Sequence, residues 1–197
     1  MKREDWDARY SQEGLLWSAR PNRFLVAEVS DLPPGRGLDL ACGEGQNAIW
    51  LTGLGWRMLG VDYSQVAIRK ARERAEREGH AVDFVCDDLV TYEPQAGGYD
   101  LVALLYLHIP AEERRIVLQR AEHALAPGGT FVLLGHDLTN IADGVGGPSN
   151  PSILYTPDEI AAELPELEIE KAERVLRDVD GEDRDAIDAL VRARRPG

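Results

Sequence analysis

The sequence predicts an α/β fold on a mostly parallel sheet, and three observations carry that prediction. Short apolar runs alternate with helical patterns along most of the chain, the signature of βα units. The run at 99–106 is almost continuously apolar, as expected of a strand covered on both faces. A glycine turn, Gly43-Glu44-Gly45, joins the first apolar run to the helical pattern behind it.

The elements follow in order. Residues 5–10 and 21–30 read as short helices, with Pro21 at an early position where its missing N–H is harmless. Phe24, Leu25, Ala27 and Val29 supply the buried face of the second, and Pro33-Pro34-Gly35 breaks the chain. Residues 37–42 are the first strand, 47–54 a helix ending near Gly55, and 56–61 the second strand, which stops at Asp62. The clearest helix is 64–78, capped by Ser64 and ended by Gly79, with the pairs Glu73–Arg77 and Arg72–Glu76 four apart on a solvated face. Residues 81–86 are the third strand and 87–98 a polar loop. Residues 110–125 are a helix, Pro127-Gly128-Gly129 a turn and 130–135 the fifth strand. The stretch 137–152, rich in Gly, Asn, Pro and Asp, is long enough to read as a lid, and 156–164 as a short helix. From 166 onward, partial alternation around an Asp180-Gly181 turn signal favours strands but leaves helix open.

Composition narrows the function. The 197 residues carry 22 basic and 35 acidic side chains, a net charge of -13, which repels phosphate backbones and anionic lipid and argues against nucleic acid or membrane as partner. No apolar run approaches a bilayer span, and Met1-Lys2-Arg3-Glu4-Asp5 does not resemble a signal peptide. The two cysteines, Cys42 and Cys86, make no disulfide framework, so the expected compartment is a reducing cytoplasm. Length and composition fit one domain over 1–197, with 1–32 a helical cap and 36–197 the core. No histidine or cysteine spacing suggests a metal site.

A turn of small residues at the carboxyl end of a strand lets backbone approach a ligand, and the helix behind it presents free N–H groups. Asp62 ends the next strand, where an acid can accept both hydroxyls of a ribose. Together they predict an adenosine-type ligand. Gly43-x-Gly45-x-x-Ala48 formally fits a dinucleotide fingerprint, which keeps an NAD-dependent oxidoreductase as an alternative. Glu44 opposes it, because a carboxylate between the glycines would face a pyrophosphate.

Asp39-Leu-Ala-Cys-Gly-Glu-Gly45, Asp62, the run from Val82 to Leu89, Tyr99-Asp-Leu-Val and Leu125-Ala-Pro-Gly-Gly-Thr130 resemble, in order and spacing, the class I S-adenosylmethionine (SAM) dependent methyltransferases. The likeness covers about half the chain, from 37 to 135. The layout is most similar to the small tellurite-resistance and thiopurine branch, but departs from the thiopurine pattern at Asp62.

The resemblance implies a Rossmann-like seven-stranded, mostly parallel sheet with helices on both faces and a C-terminal antiparallel hairpin. It places SAM over Gly43 and Gly45, with Asp39 toward the methionine ammonium and Asp62 on the ribose. Tyr63 would lie beside the adenine, which Asp88 and Leu89 would recognise. Leu104, after the fourth strand, would offer backbone, and Trp17 would fold over from the cap. His108 and His136, after the fourth and fifth strands, are the candidate catalytic residues. The acceptor is expected to be a small molecule, a thiol or a chalcogen oxyanion such as tellurite. A non-catalytic SAM-binding protein is a further alternative, and the sequence does not decide the oligomeric state.

Overall fold

The computed structural model describes residues 2–197. Two short helices, α1 (Arg3–Tyr10) and α2 (Arg23–Val29), precede alternating strands and helices: β1 (Arg36–Leu40), α3 (Gln46–Gly53), β2 (Arg57–Asp62), α4 (Gln65–Glu78), β3 (Asp83–Cys86), β4 (Tyr99–Leu105), α5 (Ala111–Ala124) and β5 (Leu125–His136). Then come α6 (Asn140–Asp143), a 3-10 turn (Pro151–Ile153), α7 (Pro157–Ala162), β6 (Glu168–Arg177) and β7 (Ala186–Arg194). The seven strands form one sheet in the order β3-β2-β1-β4-β5-β7-β6. Strands β1 to β5 run parallel, and β7 pairs antiparallel with both β5 and β6. The strand order reverses between β1 and β4, and a ligand is expected at the carboxyl edge there.

Alternate residues of the buried strands feed two cores. Leu38, Leu40, Val102, Leu104, Phe131 and Leu133 pack with Val117, Leu118 and Ala121 of α5 and Ile160 of α7. On the other face Leu101, Ala103, Val132 and Leu134 meet Ile49 and Leu51 of α3 and Ile68 and Ala71 of α4. The C-terminal segment is the antiparallel hairpin: β7 is largely buried, while the edge strand β6 carries Glu168, Glu170, Lys171, Glu173 and Arg174, charges that discourage further pairing.

Several boundaries differ from the sequence reading for local reasons. The side chain of Asn22 caps α2 by accepting from the Phe24 and Leu25 N–H groups, so Pro21 lies outside the helix. The first strand stops at Leu40 because Ala41 adopts φ 59, and the third begins only at Asp83. The fifth strand starts at Leu125 and contains the Pro127–Gly129 segment as an irregularity, with a register shift opposite Tyr99 and Leu101. Helix α4 is laced by Arg69–Glu73 and Arg74–Glu78 instead of the expected pairs: Glu73 turns to Arg69, and Arg72 donates to the Phe84 carbonyl. The segment 137–152 is less open than a free loop: α6 and the 3-10 turn fold within it, and Asn140 is buried, accepting from the Ile187 N–H and donating to the Gly146 carbonyl.

Candidate active site

At the carboxyl ends of β1 and β4, Ala41 (φ 59) and Tyr106 (φ 56) take left-handed conformations that non-glycine residues rarely adopt. Strain of this kind on both sides of the strand-order reversal marks an edge whose shape is fixed by its surroundings. Asp62 holds that shape on the β1–β2 side. Its Oδ2 accepts from the Gly43 N–H at 3.0 Å and its Oδ1 from the Ser64 N–H at 2.9 Å. An ionised carboxylate has about four acceptor sites, so two remain. Burial raises the pKa of Asp62, and the Ser64 and Gly43 N–H groups oppose that rise.

Asp39 is the anomaly of the site. It is 1% exposed, and neither carboxylate oxygen has a hydrogen-bond partner among the described residues. Burial, and then the charge of Asp62, push its carboxyl up to about 7. The Ala48 N–H pulls the other way but lies outside hydrogen-bond geometry. A buried acid left this way points to a missing cationic or donor group.

The two glycines of the turn do different jobs. A Cβ on Gly43 (φ +54) would lie 2.9 Å from the Tyr10 hydroxyl, so Gly43 faces the space under the N-terminal segment. A Cβ on Gly45 (φ +78) would lie 2.8 Å from the Phe84 ring and 3.1 Å from Ala71. The absence of a side chain at Gly45 therefore serves helix–sheet packing. Gly45→Ala is expected to cost about 1–3 kcal/mol of stability, read by denaturant unfolding; an unchanged midpoint would contradict the packing role.

The N-terminal segment is tied over this edge. Glu44 turns away from the glycine turn's open face, is 1% exposed, and accepts from the Leu16 and Trp17 N–H groups at 2.9 and 3.3 Å. Lys70 Nζ bridges Glu44 Oε1 (3.3 Å) to the Gly14 carbonyl (2.7 Å). Asp7 accepts from the Ser64 hydroxyl, and Trp17 Nε1 donates to the Tyr10 hydroxyl at 3.2 Å. The Trp17 ring itself is 44% exposed with the Arg9 guanidinium over it, so Trp17 reaches the turn through Tyr10. Sequence reasoning weighed Glu44 only as an obstacle to phosphate; its role as an anchor depends on contacts 27 and 28 residues away.

Tyr63 is half-buried, and the charges of both Asp62 and Asp88 act on it, so these three share one edge. Asp88 Oδ1 accepts from the Val90 N–H, ordering the turn after β3, and Leu89 is buried in the core. Leu104 lies inside β4, paired in register with Leu40 and Leu133, and not after the strand. The strand's free end is Leu105–Tyr106. Cys42 and Cys86 are unpaired thiols.

Across the sheet edge, at the ends of β4, β5 and β7, lies a second cluster. His108 Nε2 accepts from the His136 N–H at 3.0 Å, and burial, then the His136 charge, lower its pKa to about 3. Both make His108 a neutral, structural imidazole and a poor base. The His136 ring sits 5.3 Å from that of His108 and beneath Gly147, whose Cβ would strike it at 2.8 Å. His136 Nδ1 lies 3.1 Å from Oδ1 of the fully buried Asp188, at ion-pair distance but outside hydrogen-bond geometry. The Tyr106 hydroxyl (2.7 Å) and Arg177 Nε (2.8 Å) both donate to Asp188 Oδ2. Tyr106, Asp188 and Arg177 were missed as site residues; the one legible signal was an acid inside the apolar run 186–191.

Two recesses of about 310 Å³ each open at the opposite, amino-terminal pole of the sheet, lined by residues such as Pro34, Trp56, Asp100 and Arg192 in one and Arg57, Ala81 and Asp83 in the other. Neither contains a residue of the glycine turn or the histidine cluster. They lack the convergent buried groups found at the carboxyl edge, where Tyr10 covers the turn. Among the described residues no three His, Cys, Asp or Glu side chains are arranged to hold a metal, and no helix is long and apolar enough to cross a membrane.

A family profile described as "Methyltransferase domain" matches residues 38–129. Thiocyanate methyltransferase 1 of Arabidopsis thaliana is 26% identical over 162 residues, covering 79% of this chain and 70% of that protein. Seven other curated methyltransferases and synthases match over only 33% to 52% of their own length. A solved structure described as "Conversion of a Disulfide Bond into a Thioacetal Group during Echinomycin Biosynthesis" superposes with TM-score 0.79 at 25% identity, covering 98% of this chain and 92% of that one. Magnesium protoporphyrin IX methyltransferase from Synechocystis, solved with bound SAH, superposes with TM-score 0.64 at 20% identity over 98% of this chain and 82% of that one. These relatives leave no support for an NAD-dependent oxidoreductase. A methyltransferase domain profile matches residues 38–129, and the chain is similar in sequence and fold to SAM-dependent methyltransferases, enzymes for which SAM is the co-substrate.

Proposed function

We propose that the whole chain, 1–197, acts as one methyltransferase that moves the SAM methyl group to a small molecule with a soft sulfur nucleophile. The observation that carries it is Asp39: a fully buried carboxylate with no partner, beside a glycine turn at the strand-order reversal. SAM's ammonium is a partner of the right charge for it. Asp62 keeps two acceptor sites for the ribose hydroxyls, Tyr63 and Asp88 border the adenine with the Leu89 backbone, and Gly43 lies under the cofactor. Residues 1–32 act as a cap, Tyr10 and Trp17 covering the turn and shifting to admit the cofactor.

Sulfur is favoured because the Arabidopsis relative is named for thiocyanate and the structural neighbour converts a disulfide to a thioacetal. The net charge of -13 argues for a small acceptor over RNA. The sulfonium leaves as a neutral thioether, so no metal or acid is required. The protein's task is to hold the nucleophile in line in a dry site, which can remove about 7–11 kcal/mol of barrier. The test is calorimetry with SAM and SAH, followed by mass spectrometry of a thiol panel. SAH at 100 times its Kd is expected to add about 2.7 kcal/mol of stability; no binding of either ligand would refute the reading.

A further inference from the structure

We propose that His136 is the catalytic base, that Asp188 of the C-terminal hairpin is its positioning residue, and that the acceptor is therefore a neutral, protonated thiol rather than an anion. This rests on the methyltransferase reading above and narrows its substrate.

The geometry divides the two histidines. His108 has spent its Nε2 lone pair on the His136 N–H. His136 has Nδ1 against the Asp188 carboxylate, while its Nε2 makes no hydrogen bond among the described residues and the side chain is 12% exposed. Burial opposes ionisation of Asp188, but the neighbouring His136 and the bonds from Arg177 and Tyr106 outweigh it and hold the carboxyl below its usual range. An ionised carboxylate only accepts, so the proton of a neutral His136 sits on Nδ1 and the free lone pair on Nε2. Two strand spacings, about 9.6 Å, separate β1 from β5, which puts the end of β5 that carries His136 across the β4 end from Asp39 and Gly43.

The cations around the cluster are already paired. Arg177 binds Asp188, Arg174 Nε lies 2.9 Å from Asp137, and Arg114 is bidentate to Glu163. No guanidinium touching these rings is left for an anionic acceptor. A thiol proton, near pKa 8.5, is within reach of an imidazole. In the step, His136 Nε2 takes the S–H proton as the thiol sulfur bonds the methyl carbon. The methyl–sulfonium bond breaks with its electron pair going to the departing thioether, and the imidazolium, paired with Asp188, returns the proton to water.

Asp188→Asn tests the arrangement. Tyr106 and Arg177 both donate to the Oδ2 position and fix the amide oxygen there, so the amide NH2 faces His136 Nδ1. The imidazole must then accept at Nδ1 and carry its proton on Nε2, losing the base. Long-range 15N imidazole spectra, assigned with His136→Gln, are expected to show an Nδ1–H His136 in the wild type and an Nε2–H His136 in Asp188→Asn. With SAM and 2-mercaptoethanol, both variants are expected to lose 100-fold or more in kcat, with KM and SAH affinity changed less than threefold. An Nε2–H wild type, an unchanged tautomer in Asp188→Asn, or an unchanged kcat in His136→Gln overturns the proposal. So does a higher kcat/KM for thiocyanate than for the thiol, or turnover of neither by protein that binds SAH. If Asp188→Asn does not fold, the wild-type tautomer and His136→Gln decide. Failure to bind SAH refutes the wider reading, while the tautomer result stands alone.

Discussion

Asp39→Asn is expected to stabilise the ligand-free protein and to weaken SAM binding by 100-fold or more, two effects of opposite sign from one atom exchange. The native carboxylate is buried without a hydrogen bond, and its carboxyl is raised from 3.8 to about 7. That difference of roughly three units corresponds to a penalty on the order of 4 kcal/mol at pH 8. Asparagine has the same shape and no charge to desolvate. It also has no charge for the SAM ammonium, and a charged hydrogen bond contributes about 1.5–3 kcal/mol before the extra strength of a buried site. Chemical denaturation and calorimetry read the two signs independently. A less stable variant, or one with native SAM affinity, would remove Asp39 from the cofactor site.

The same residue fixes a pH signature. A carboxyl whose folded pKa is raised contributes its full stability below the unfolded value near 3.8 and loses it as pH rises through about 7. His108 acts oppositely: lowered from 6.5 to about 3, it destabilises the fold as pH falls through that window. Both Asp39→Asn and the wild type contain His108, so it cancels in their difference. Variant minus wild type is therefore expected to grow from pH 4 to pH 7 and flatten above. A difference that shrinks with rising pH would contradict the burial of Asp39 as a charged group.

Legibility followed the range of the interactions. Helix α4 was readable because its cap, Ser64, and its stop, Gly79, are local. Strand β4 was readable because both its faces are buried, which needs an unbroken apolar run. The candidate site at the strand edge was readable through Gly43, Asp39 and Asp62, since an acid at a strand end beside a glycine turn has a chemical meaning before any contact is known. The packing role of Gly45 was not readable, because spacing says that a glycine is needed but not what it packs against, and here that is Phe84 of the third strand. The histidine cluster was half legible. His108 and His136 are both placed by strand ends, yet only contacts 28 residues apart along the chain show that one supports the other. Asp188 and Arg177 reach the site from a hairpin whose position beside β5 no local pattern specifies. Glu44 was opaque for the same reason: its partners belong to the cap.

Asp62→Ala is expected to lower stability and SAM affinity together, in contrast to Asp39→Asn. Asp62 is buried as Asp39 is, but its oxygens are in use, each holding a backbone N–H of an adjoining turn. Removing them strands the Gly43 and Ser64 donors, and each buried unsatisfied group costs about 1–3 kcal/mol. Part of that is offset, because burial penalises the charge of Asp62 itself. The net loss is expected at about 2–4 kcal/mol. The freed Gly43 lets the glycine turn relax toward Tyr10, and on the proposed reading the ribose then loses its acceptor and the cofactor its floor. A loss of 100-fold or more in SAM affinity follows, with the fall in denaturation midpoint as its companion. Asp62→Asn separates the two contributions. The amide oxygen keeps one N–H bond, the NH2 opposes the other, and neither offers the ribose a charged acceptor. Asn is therefore expected to recover part of the stability and little of the affinity. Full recovery of SAM binding by the Asn variant would show that Asp62 only shapes the turn and leaves the ribose to another group.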